Sequence, residues 1–101
     1  MSLSTSVSSD QSKFTIEISG RFDFNLHRQF REAYKEASKV DGEILVDLNG
    51  TEYMDSSALG MLLVLRDRSG GDAANISIVN CSDEIKKIFS ISNMDQMFKI
   101  S

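Results

Sequence analysis

The sequence predicts an α/β fold, a mixed, mostly parallel sheet of four to five strands with helices packed on it. Three observations carry that prediction. In KFTIEISG, Phe14, Ile16 and Ile18 alternate with Thr15, Glu17 and Ser19, the period of a strand with one buried face. From Asn25 the period lengthens, and Leu26, Phe30, Ala33, Tyr34 and Ala37 fall at helical spacing. Strand-like and helix-like segments then alternate to the C-terminus, the pattern produced by parallel crossovers.

The elements follow in order. LSTSV near the start suits a short edge strand, joined to KFTIEISG by a hairpin through Ser8 to Ser12. Gly20 ends that second strand, and Asn25 has the side chain of an N-cap for the first helix. Asp41 and Gly42 break the helix. ILVDL, Ile44 to Leu48, is a continuous apolar run expected of a central strand covered on both faces. A loop from Asn49 to Met54 leads into a helix that runs to about Ser69 and closes at Gly70 and Gly71. NISIVN, Asn75 to Asn80, forms the next strand. Ser82 caps a last helix, with Asp83 and Glu84 in its electropositive first turn, Lys86 and Lys87 further on, and a buried stripe of Ile85, Ile88 and Phe89. Asn93 suits a left-handed turn, and Met94, Met97, Phe98 and Ile100 supply a last apolar patch or short strand.

Composition bounds the function. The 101 residues, 41% hydrophobic and 26% charged, fit one domain spanning 1–101. A net charge of -4 with no run of lysine or arginine argues against a nucleic-acid or anionic-membrane partner and favours proteins. The apolar run GMLLVL falls far short of the ~20 residues that span a bilayer. MSLSTSVSSD lacks the basic start and apolar core of a signal peptide, so a cytoplasmic protein is expected. One cysteine, Cys81, and one histidine, His27, leave no clustered metal ligands, and no cofactor is implied.

The stretch YMDSSALGMLLVL, Tyr53 to Leu65, is apolar almost all the way round once its helix begins. With Ser56 at zero and 100° per residue, Met61, Ala58, Leu65 and Leu62 span roughly 140° to 240°, the face for the sheet. Gly60, Leu63, Val64 and Asp67 fall on the Ser56 side. Periodicity leaves two readings open: a helix buried on two sides and capped by Asp55 or a serine, or a helix with a second, functional face. A catalytic serine is disfavoured because no G-x-S-x-G elbow is present and only His27 could serve as a histidine base, although a Ser-Lys pair stays open. Asp23 reads as a loop or cap residue, His27 as solvated, Cys81 as a small hydrophobe, and Gly70 with Gly71 as a turn.

YMDSSALGMLLVLRD resembles the signature of STAS domains, especially single-domain anti-sigma factor antagonists, in which Met-Asp-Ser-Ser/Thr-Gly-Leu-Gly lies at a strand-to-helix junction. GRFDFNLHRQFR resembles the family's Gly-x-x-Asp approach to the first helix, and SDEIKKIFSISNMDQMFKI its final helix and tail. The resemblance implies the STAS fold, phosphorylation at Ser56 with Ser57 as the secondary acceptor, and no enzymatic activity. Together with the Ser56 side of the helix it gives an expected partner face of Asp23, Asp55, Ser56, Ser57, Gly60, Leu63, Val64 and Asp67 on a monomer or weak dimer. The implied mechanism is partner switching: the unphosphorylated chain binds an anti-sigma factor or a GHKL-type serine kinase, phosphorylation releases it, and a PP2C-type phosphatase restores it. The alternative is a constitutive STAS subunit on an ABC-transporter ATPase or other membrane complex. Ala58 replaces the usual glycine, Asp83 a frequent proline and Asn93 a frequent glycine. The first change bears on how closely a partner approaches position 58.

Overall fold

In the computed structural model, which describes residues 2–37 and 42–101, five strands lie side by side in sequence order. They are β1 Ser2–Val7, β2 Lys13–Phe22, β3 Glu43–Met54, β4 Ile76–Val79 and β5 Lys99–Ile100. β1 is antiparallel to β2, and every other pair is parallel. Each parallel connection carries one helix: α1 His27–Ala37, α2 Ser56–Arg68 and α3 Asp83–Ile91. Asp41, expected to help break the first helix, lies outside the described residues.

Crossovers of one hand that always step the same way across a sheet deliver their helices to one face. The core follows this logic. Phe14, Ile44 and Ile76 align across three strands, as do Ile16, Val46 and Ile78, and all six are buried in the single hydrophobic cluster with Phe30, Leu62 and Phe89 of the helices. The intervening rows are Thr15, Leu45 and Ser77, then Glu17, Asp47 and Val79. β3 is therefore central but not covered by helices on both faces, as its apolar run suggested. Leu45 is half-buried, and Asp47 accepts hydrogen bonds from the Asn49 N–H and the Asn80 side-chain amide on the open side.

Two expected boundaries move. β2 does not stop at Gly20, and Asn49 to Met54 is strand rather than loop. The register between the two strands shifts twice, once between Glu17 and Ser19 and again between Gly20 and Arg21, where Gly20 takes φ +79°. The Thr51 hydroxyl donates to the Ile18 carbonyl at 2.8 Å inside the irregularity and satisfies its backbone. The paired strands then continue to Phe22 and Met54, delivering both chain segments to the same end of the sheet.

Capping also differs at the first helix. Asp23, not Asn25, is the cap: its Oδ1 accepts the Asn25 N–H at 3.0 Å and starts a 3-10 turn, Phe24–Leu26, that runs into α1. Asx side chains bond the backbone two residues on, so the earlier acidic residue takes the role. The hairpin, the Ser82 cap and the left-handed Asn93 lie where the sequence puts them. In the hairpin, the Ser8 and Ser12 hydroxyls each donate to Asp10 at 2.7 Å and hold its carboxyl down at about 2.

Candidate functional site

The site forms where β2 and β3 end together. The Asp55 N–H donates to the Phe22 carbonyl at 3.4 Å, so the last bond between the two strands also fixes the start of α2. Asp55 is the N-cap, in extended conformation, and its Oδ1 accepts the Ala58 N–H at 3.0 Å and the Ser57 hydroxyl at 2.5 Å. The Ser57 hydroxyl bond, aided by backbone N–H groups and opposed by partial desolvation, holds the Asp55 carboxyl below the usual carboxylate range.

Ser56 is the first residue of α2 and is exposed; its hydroxyl makes no hydrogen bond among the described residues. The adjacent serines are therefore chemically distinct. One hydroxyl is committed to the cap, and the other is free at the positive end of a helix.

Along α2, Ala58, Met61, Leu62 and Leu65 are buried, while Leu63 and Val64 are 39% and 42% exposed. Gly60 is exposed, and a Cβ there would meet nothing within 4 Å, so within the chain itself a larger residue has room. Asp67 is exposed but lies eleven residues from Ser56, roughly 16 Å along the helix axis. Ala58 is 0% exposed and faces the sheet, so its methyl group lies under the helix and touches no approaching surface.

Asp23 is brought to the same end of the sheet but is only 9% exposed, its carboxylate shared between the Asn25 N–H and the Arg21 Nε at 3.4 Å. It organises the turn that leads into α1. Above it, the Arg21 guanidinium sits 4.3 Å from the centre of the exposed Tyr53 ring. At the far end of α2, Arg66 donates to the Met97 carbonyl at 3.2 Å and to Asp72 at 2.8 Å, tying the helix to the tail. Cys81 is half-buried, and burial pushes its thiol up, away from reactivity.

A groove of about 600 Å³ runs between α1 and α2 from this corner. Its floor is apolar, from Phe30, Tyr34, Met61 and Val64, and Ser57 and Gly60 line the end near the cap. Phe24, 65% exposed, stacks on His27 at 5.0 Å between ring centres. Individual side chains on this list had visible signals in sequence, such as Phe30 and Tyr34 on the apolar stripe of α1. The groove did not, because it depends on how two helices lie against each other.

Residues 5–100 match the family model described as "Mlab, STAS domain". The chain belongs to the STAS family. A STAS-domain containing protein of Pseudomonas aeruginosa strain UCBPP-PA14 is 50% identical over the full length of both chains. The Bacillus anti-sigma factor antagonist SpoIIAA in its unphosphorylated form superposes with a TM-score of 0.80 at 16% identity, covering 99% of this chain and 88% of SpoIIAA. A sulfate transporter family protein from Wolinella succinogenes superposes at 0.76 and 10% identity, covering 94% of this chain and 79% of that one. The five-stranded, mostly parallel sheet with three helices is thus the STAS fold, shared with both of those structures. Among the described residues, no helix is long and apolar enough to cross a membrane.

Proposed function

We propose that this STAS domain is the switchable partner in a partner-switching pathway. Its unmodified form binds an anti-sigma factor or a GHKL-type serine kinase, phosphorylation of Ser56 dissolves the complex, and a PP2C-type phosphatase restores it. The observation that carries the reading is the pair of adjacent serines: Ser56 exposed and without a hydrogen bond among the described residues, Ser57 donating to Asp55. A kinase must take the free hydroxyl or first break a charge-assisted bond. SpoIIAA, which shares the fold, exists in unphosphorylated and phosphorylated forms. The chain acts here as ligand and substrate, not as catalyst.

Magnitudes favour a surface switch over an unfolding switch. A phosphate adds about -1.5 to -2 charges, which the helix N-terminus welcomes by ~0.3 to 1 kcal/mol and Asp55 repels, so the fold is little affected. The same charge trapped unpaired beneath a partner costs several kcal/mol, and each ~1.4 kcal/mol is tenfold in affinity. Binding fails before folding does.

The test is to phosphorylate the purified chain with its cognate kinase, map the site by mass spectrometry, and titrate both forms against the partner. Labelling at Ser56 with at least a tenfold loss of affinity is expected. Equal affinities reject the switch, and labelling only at Ser57 moves the site. Because Asp55 is the cap, Ser56→Ala removes labelling at a stability cost within about 0.5 kcal/mol. The likeness to a sulfate transporter family protein supports a second reading, a constitutive subunit on an ABC-transporter ATPase or other membrane complex. That reading requires a native complex containing the transporter and unaltered by Ser56→Asp.

A further inference from the structure

We propose that the α1–α2 groove is a docking site for an acidic amphipathic helix of the protein partner; the inference rests on the partner-binding reading and specifies what such a partner inserts. The chain is acidic overall, at -4, yet among the described residues no carboxylate lines this groove. Its cations are Arg31 and Lys35 on one bank and Arg68 on the other. Arg31 and Arg68 form no ion pair among the described residues; Arg68 instead lies 5.5 Å from the Tyr34 ring centre, and Lys35 pairs loosely with Glu32 at 3.9 Å. An apolar floor between two banks carrying positive charge is the complement of a helix with an apolar stripe flanked by acids.

The dimensions agree. On α2 the lining runs from Ser57 to Arg68, roughly 16 Å, and on α1 from His27 to Lys35, roughly 12 Å. Apolar anchors at i, i+4 and i+7 of a docked helix span roughly 10 Å. The exposed Phe24–His27 stack at the rim supplies the kind of rigid aromatic surface that anchors interfaces. The groove is also polarised. Ser57 and Gly60 mark the Ser56 end, whereas Arg68 and Tyr34 mark the other. A phosphate on Ser56 lies about 18 Å of helix from Arg68, beyond the ~8 Å screening length at physiological salt, so the α2 bank's arginine leaves it unneutralised. It confronts the docked acidic segment directly.

The experiment measures the affinity of the full chain for its cognate anti-sigma factor or kinase as a function of salt, for wild type and for Arg31→Glu/Arg68→Glu. Both arginines are exposed, and circular dichroism checks the variant's fold. The expected result is at least a tenfold loss and a flattened salt dependence. A variant that binds as wild type overturns the groove proposal, while phosphorylation-dependent release of the same partner leaves the switch standing. Conversely, groove dependence with no effect of phosphorylation keeps the groove and removes the switch. A photocrosslinking residue in place of Phe24 then identifies the occupant by mass spectrometry. An acidic amphipathic segment supports the proposal; a basic or non-helical segment overturns it.

Discussion

Removing the Asp55 carboxylate tests the cap and the serine distinction together. Asp55→Ala deletes the acceptor of both the Ala58 N–H and the Ser57 hydroxyl. Loss of an acidic cap costs ~1 kcal/mol, within a range of 0.5 to 2, and its interaction with the helix dipole adds ~0.3 to 1. The sum, about 1.5 kcal/mol, lowers Tm by roughly 6 to 12 °C for a chain of this size. Asp55→Asn keeps the capping geometry and loses only the charge, so it retains most of the stability at pH 7. Because the folded carboxyl titrates below its unfolded value, the charge contribution is fully present above about pH 4 and is lost as pH falls through the lowered folded value. Thermal melts from pH 7 to pH 2 therefore bring wild type and Asp55→Asn together in acid. In kinase assays, Asp55→Ala also frees the Ser57 hydroxyl, and phosphate appears at Ser57. A melting point of Asp55→Ala within 2 °C of wild type, or an Asp55→Asn gap that widens toward acid, refutes this account of the cap.

Other outcomes follow from the same geometry. Leu62→Ala, at a fully buried site, costs ~2 to 5 kcal/mol by urea denaturation, whereas Leu63→Ala on the exposed side stays within about 1. Val64→Asp leaves the melting temperature near wild type but weakens partner binding at least tenfold in a titration; unchanged affinity removes Val64 from the contact surface. Asp10→Asn loosens the β1–β2 hairpin at neutral pH, read as faster hydrogen exchange at the Ser12 and Lys13 amides. Asp10's carboxyl is lowered from 3.8 to about 2, so wild type holds its advantage above pH 3.8 and surrenders it as pH falls toward 2.

The legible parts of the fold were those governed by one element at a time. The spacing of Ala58, Met61, Leu62 and Leu65 alone separates the buried side of α2 from Leu63 and Val64. Ser82 and Asn93 announce their caps by side-chain chemistry. What escaped depends on pairs of elements. The register shifts opposite Ser19 and Gly20 put buried Thr51 and Met54 three residues apart, erasing the period of two that marks a strand. The helices' common side of the sheet follows from three crossovers in succession, which ILVDL alone cannot reveal. Met97 belongs to an apolar tail yet is exposed, because the turn after Asn93 aims Met94 and Phe98 inward instead. At the site, the sequence yields the serines and the helix face. The division of labour between Ser56 and Ser57 emerges only from the Asp55 hydrogen bond.

The α2 helix is clamped at both ends, by the Asp55 N–H on the Phe22 carbonyl and by Arg66 on Met97 and Asp72. Under the proposed function, a beam held this way keeps its surface when a charge is placed at its tip. The switch so proposed needs no slow rearrangement between states, and its response time is then set by kinase and phosphatase turnover together with the partner's residence time. On that proposal, pathways built on this scaffold differ in tempo while their STAS domains stay structurally alike, the timing residing in the enzymes and partners around it.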